Sequence, residues 1–93
     1  MEHEFDDNKD ALNRQKHGLP LSFGVNIFAD EAHIIIPTIR QEDSEERFKV
    51  VGMVENRLFT AVFVWRGDPE HPRFISVRRA NNAEQKEYDC DEG

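Results

Sequence analysis

The sequence predicts an α+β domain: two short N-terminal helices, a four-stranded antiparallel sheet and a C-terminal helix. Three observations carry this. Runs rich in β-branched and aromatic residues occupy the middle of the chain, at His33–Ile36, Arg47–Met53, Leu58–Arg66 and Phe74–Arg79. Short connections between successive runs favour antiparallel pairing. Helix signals stand before and after them.

Lys9–Lys16 reads as the first helix, with Asp6, Asp7 or Asn8 as its cap and Gly18 as a left-handed stop after His17. Pro20 suits the start of a second helix, in which Leu21, Val25 and Phe28 recur at helical spacing. Helices this short do not hold alone and must lie on the sheet. The first strand stops at Pro37, and Gln41–Glu46 is a polar loop without an apolar residue. Glu55–Asn56 marks a tight turn, and Gly67-Asp68-Pro69 opens a longer loop. Asn82–Tyr88 closes the chain as a helix, capped by Asn81 or Asn82. With the helices on one face, the other face is expected to be free.

A length of 93 residues allows one domain, 1–93. An apolar fraction of 38% against 33% charged residues marks a folded chain rather than a disordered one. The single cysteine, Cys90, cannot form an internal disulfide and suits a reducing cytoplasm. The opening MEHEFDDNKD lacks the basic start and apolar stretch of a signal peptide. Ile34–Ile36 and Ala61–Trp65 are too short to cross a bilayer, so a cytoplasmic location without membrane contact is expected.

The net charge of −7 speaks at first against a nucleic-acid ligand. Its distribution changes that reading. Residues 1–10 and 80–93 hold ten acids and two bases, whereas residues 11–79 hold ten bases and nine acids. The acidity is terminal, and a basic patch in the middle segment is allowed.

Four blocks resemble the BrnT toxin family. Phe5-Asp6, Lys9, Asn13 and Lys16-His17-Gly18 form the first, and Ser22-Phe23, Ile27-Phe28 and Asp30 the second. Glu46-Arg47 leads into a strand reaching Gly52, and Ile75-Ser76-Val77-Arg78-Arg79-Ala80 precedes Glu84 and Tyr88. The family commonly has Trp in place of Phe5 and Pro in place of Asp7, and a more basic tail. The resemblance implies a RelE-like fold, an endoribonuclease that arrests translation by cutting RNA, and neutralisation by a BrnA-like antitoxin. That antitoxin would carry a ribbon–helix–helix domain, and operator DNA would be bound only through it, in an autorepressing complex. The alternative is a catalytically weak or inactive homologue serving as a protein-binding component of the repressor.

Metal-independent RNA cleavage needs a base for the ribose 2′-hydroxyl, cations for the phosphate and an acid for the leaving oxygen. Arginine suits the phosphate because its planar fork stays charged and meets two oxygens at once. Arg78 and Arg79 end the last strand on opposite faces, Arg78 with Ser76, and Arg79 with Ile75 and Val77 on the core side. Arg78 is therefore the first candidate for the phosphate, and as an exposed strand-end residue it should add little to stability. Solvation of a strand end would account for both arginines too.

Arg66 and Arg47 are candidates on the same free face, with Glu46 either a base or a structural partner of Arg47. Lys16 offers charge, and His17 either exchanges a proton or caps its helix. Tyr88 is a proton donor, a base-stacking ring or core. Trp65 alternates with Phe59, Ala61 and Phe63 in a stripe that suits a core, or else a stacking platform. No histidine pair has the spacing of a metal site, so neither metal nor other cofactor is expected.

Overall fold

Among the described residues five strands, not four, make the sheet, and one pair is parallel. The computed structural model describes residues 1–38 and 46–91. In chain order they form β1 (Glu4–Phe5), α1 (Asp7–His17), a 3-10 turn (Leu21–Phe23), α2 (Gly24–Phe28) and β2 (Ile34–Thr38). β3 (Arg47–Val54), β4 (Arg57–Arg66), β5 (His71–Arg79) and α3 (Asn82–Asp91) follow. The sheet order is β1-β5-β4-β3-β2, antiparallel except that β1 runs parallel to β5. The α+β class stands, whereas the four-stranded antiparallel sheet with two N-terminal helices is corrected. β1 has only two residues in an acidic stretch, too few to show a strand period.

α1 begins on the Asp6 side chain, which accepts from the Asn8 N–H at 2.8 Å. It ends at Gly18, whose φ of 72° is the left-handed stop that glycine takes at least cost. Its one buried residue is polar: Asn13 is 5% exposed. Its Oδ1 accepts from the Val77 N–H at 3.0 Å, and its Nδ2 donates to the Val77 carbonyl at 2.9 Å and the Leu19 carbonyl at 2.8 Å. β1 pairs only with Arg73 and Phe74. The Asn13 amide thus does for the β5 edge what a neighbouring strand would do.

The second helix predicted after Pro20 divides into the 3-10 turn and the five-residue α2. Leu21, Ile27, Val50, Phe59, Ala61, Phe63, Phe74 and Val77 form the core beneath them. Phe59, Ala61 and Phe63 are the expected stripe, and Trp65 packs against it with its ring 5.0 Å from that of Phe63. Burying a side chain such as Phe63 or Phe74 contributes roughly 1.5–3 kcal/mol.

The turn between β3 and β4 is Glu55–Asn56, both with positive φ, as a two-residue hairpin of the primed type requires. The longer loop expected after Gly67 is only a turn, because β5 begins at His71 rather than Phe74. Val62 pairs with Ser76 but Phe63 with Phe74, leaving Ile75 as a bulge. Phe74 and Val77 therefore both enter the core, which corrects the placement of Ile75 there. Apart from Glu46, the predicted Gln41–Glu46 loop lies outside the described residues.

The second face of the sheet is not left free. Glu84 of α3 bonds Lys49, Thr60 and Arg78, whose strand neighbours Val50, Ala61 and Val77 point into the core. α3 thus lies opposite α1 and α2, with the sheet between.

Candidate nucleic-acid interface

Strand register gathers cations on the α3 side of the sheet. Across β4 and β5, Thr60 lies beside Arg78, Val62 beside Ser76, Val64 beside Arg73 and Arg66 beside His71. Across β3, Lys49 lies beside Val62, and Arg47 shares its face two residues earlier. Among the described residues Arg47, Lys49, Arg66, Arg73 and Arg78 thus share one face of a chain with net charge −7. Three of the predicted site residues, Arg47, Arg66 and Arg78, lie on that face, with Arg66 at the opposite end of β4 from the row of Arg78.

A buried carboxylate organises part of this face. Glu84 is 1% exposed. Arg78 donates to both of its oxygens at 2.7 Å, Lys49 to Oε2 at 3.1 Å and Thr60 to Oε1 at 2.9 Å. Asn81 and Glu84 also form a reciprocal cap for α3. The Asn81 N–H donates to Oε1 and the Glu84 N–H to the Asn81 side chain, both at 2.9 Å. Burial alone would raise the Glu84 pKa, but Arg78, the Asn81 N–H, Lys49 and Thr60 together hold it down at about 2. Arg78, in turn, is held charged by that carboxylate against the cost of its burial. The terminal helix therefore presents less acidity than its sequence suggests, since Glu84 is an internal counter-ion.

Beyond the row of Arg78 lies a second cluster. β1 places Glu4 beside Arg73, with one carboxylate oxygen 3.8 Å from the guanidinium and the other in contact with Nε2 of His71. Arg66, across from His71, adds its field. The His71 bond is the main cause of the lowered Glu4 pKa, and the same bond raises that of His71.

The remaining predicted residues lie apart from this face. Lys16 and His17 are exposed at the end of α1, where with Lys9, Leu12, Asn13, Ile75 and Ser76 they line a recess of about 230 Å³. Glu46 lines another, of about 300 Å³, with Phe48, Val64, Trp65 and Glu70. Arg79 lies across from Phe59, on the opposite side of the sheet from Arg78. Tyr88 is 5% exposed, and its hydroxyl donates to Asp30 at 2.7 Å.

Sequence reasoning did not single out Glu84, Glu4, His71 or Arg73 as site residues. Glu84 had a signal in the Asn81-x-x-Glu84 spacing of a capping box. Arg73 and His71 are hidden in the sequence because the strand signal begins only at Phe74, and the Ile75 bulge breaks the period joining them to Arg78. Glu4 had no local signal.

A small α+β domain that sets several guanidinium groups on one sheet face offers a local positive field to an anion despite its net negative charge. The family model of the ribonuclease toxin BrnT of type II toxin–antitoxin systems matches residues 5–84, and the chain belongs to that family. Such a toxin has an antitoxin partner. No curated protein matches the chain. Among the described residues, no helix is long and apolar enough to cross a membrane.

Proposed function

We propose that this chain is a cytoplasmic, metal-independent endoribonuclease that binds RNA across the α3 side of its sheet and arrests translation. The observation that carries the reading is the register of Arg47, Lys49, Arg66, Arg73 and Arg78 on one face. Arg66, Arg47 and Arg73 hold the phosphates. Arg78, tied to Glu84, adds positive potential and anchors α3 beside the bound strand. Lys16 extends positive charge to the outer edge of β5, in the recess it lines with His17.

The partner is a BrnA-like ribbon–helix–helix antitoxin whose acidic or amphipathic segment covers the basic face. Operator DNA is bound through the antitoxin, since α3 still presents Glu87 and Asp89 to a duplex. The toxin tightens that binding by bridging antitoxin chains.

Purified protein incubated with bare RNA in a chelator tests the activity. Cleavage leaving 2′,3′-cyclic phosphate and 5′-hydroxyl ends is expected. Affinity should fall with salt, and each of Arg47→Ala, Arg66→Ala and Arg73→Ala should reduce the logarithmic slope by about 0.7. RNA binding without cleavage would favour the rival role as a protein-binding component, and chelator-sensitive cleavage would overturn the metal-independent reading.

A further inference from the structure

We propose that the Glu4 carboxylate is the general base of the RNA-cleaving site, held by His71 and Arg73 in the field of Arg66 at the β1 end of the basic face. This rests on the ribonuclease reading above. β1 is a strand of two residues, and its parallel pairing sets Glu4 beside Arg73. An acid is thereby carried onto the edge of a face rich in cations. The Glu4 side chain is 44% exposed, unlike that of Glu84 at 0%, so solvent and substrate reach it.

His71 is built to hold that carboxylate. Its Nε2 meets Glu4, and its Nδ1 lies 3.1 Å from the Pro69 carbonyl, so as an imidazolium it donates on both sides. Gly67 makes room for the ring, since a Cβ there would lie 2.5 Å from the ring's Cε1. The contact with His71 keeps the Glu4 carboxylate ionised near neutral pH, the form a base must have before it takes a proton. Arg73 and Arg66 stand where charge builds on a phosphate beside it. His17, by contrast, lines the separate recess along α1.

In the reaction, the ribose 2′-hydroxyl proton passes to a Glu4 oxygen as the 2′ oxygen bonds to phosphorus. The phosphorus–O5′ bond breaks, its electron pair leaves on O5′, and a solvent water protonates that oxygen. The resulting hydroxide takes the proton back from Glu4. The products are a 2′,3′-cyclic phosphate and a 5′-hydroxyl.

The groups that set the pH response of Glu4 are His71 and Arg73 of β5 and Arg66 of β4, with Glu2 acting on His71. His3 lies alongside, its ring 5.9 Å from that of Phe5.

The test is single-turnover cleavage of a synthetic single-stranded RNA by the full chain in a chelator, over a range of pH, with RNA affinity measured in parallel. Glu4→Gln should slow cleavage by about 100-fold or more while RNA binding is unchanged or tighter. His71→Asn should move the acid limb of the rate profile to higher pH, because Glu4 loses a cation that depresses its pKa. A merely structural role for Glu4 would not move that limb. Should Glu4→Gln fail to fold, the His71→Asn profile decides. Wild-type cleavage combined with an unaffected Glu4→Gln variant, or with an unmoved limb in His71→Asn, overturns this assignment alone. Absence of cleavage by the wild-type chain overturns the ribonuclease reading, and this assignment with it.

Discussion

Arg78 grips Glu84 with both arms of its guanidinium, each nitrogen 2.7 Å from a different carboxylate oxygen. The pair joins the last strand to the last helix across a short connection, and Lys49 and Thr60 bring the two preceding strands to the same carboxylate. Removing one member of such a pair leaves the other buried and uncompensated, which costs more than the pair contributes.

The carboxylate itself makes stability depend on acid. Its folded pKa of about 2 lies below the unfolded value, so its contribution is full above about pH 5 and lost as pH falls toward 2. The depression corresponds to about 3 kcal/mol. Urea titrations between these pH values should show a flatter acid loss in Glu84→Gln than in wild type. An identical slope in both would mean that Glu84 does not carry the dependence.

Arg78→Ala should be destabilising by about 3–5 kcal/mol, against the small effect expected of an exposed strand-end arginine. Loss of toxicity in that variant would therefore report folding as much as chemistry. Arg78→Lys should recover part of the stability, because one charge remains but the two-armed contact is gone. Thermal melts of the three proteins decide this, and a wild-type melt for Arg78→Ala would contradict the coupling.

Asn13→Ala should cost about 2–4 kcal/mol, since it orphans the Val77 N–H and carbonyl at the edge of β5. Asn13→Asp keeps the acceptor for the N–H but cannot donate to Val77 or Leu19. It should also be destabilised at neutral pH. Amide hydrogen exchange at Val77 is the direct measurement, and protection equal to wild type in Asn13→Ala would show that the side chain is dispensable.

Tyr88→Phe should lower stability by about 1.5–3 kcal/mol, the loss of a hydrogen bond to the Asp30 carboxylate. Asp30 also accepts from the Met53 N–H at 2.7 Å, so the change loosens the joint between α2, β3 and α3. Cleavage per folded molecule should be unchanged, because the hydroxyl is engaged inside the domain. A specific loss of cleavage with a normal melt would return Tyr88 to the chemistry.

What the sequence determined by itself was local: a cap among Asp6, Asp7 and Asn8, the Gly18 stop, the Glu55–Asn56 turn and the apolar stripe of β4. Each depends on residues a few positions apart, whose conformational preferences and periodicity act before any tertiary contact forms. The four motif blocks likewise suffice to assign the family, whose model covers residues 5–84. Which face each residue meets was settled only by long-range pairing. Glu4 reaches Arg73 through a strand too short to have a period, and the Ile75 bulge re-aims everything before it on β5. Glu84 reads as tail acidity until α3 docks on the second face, because burial and neutralisation belong to its neighbours in space rather than in sequence.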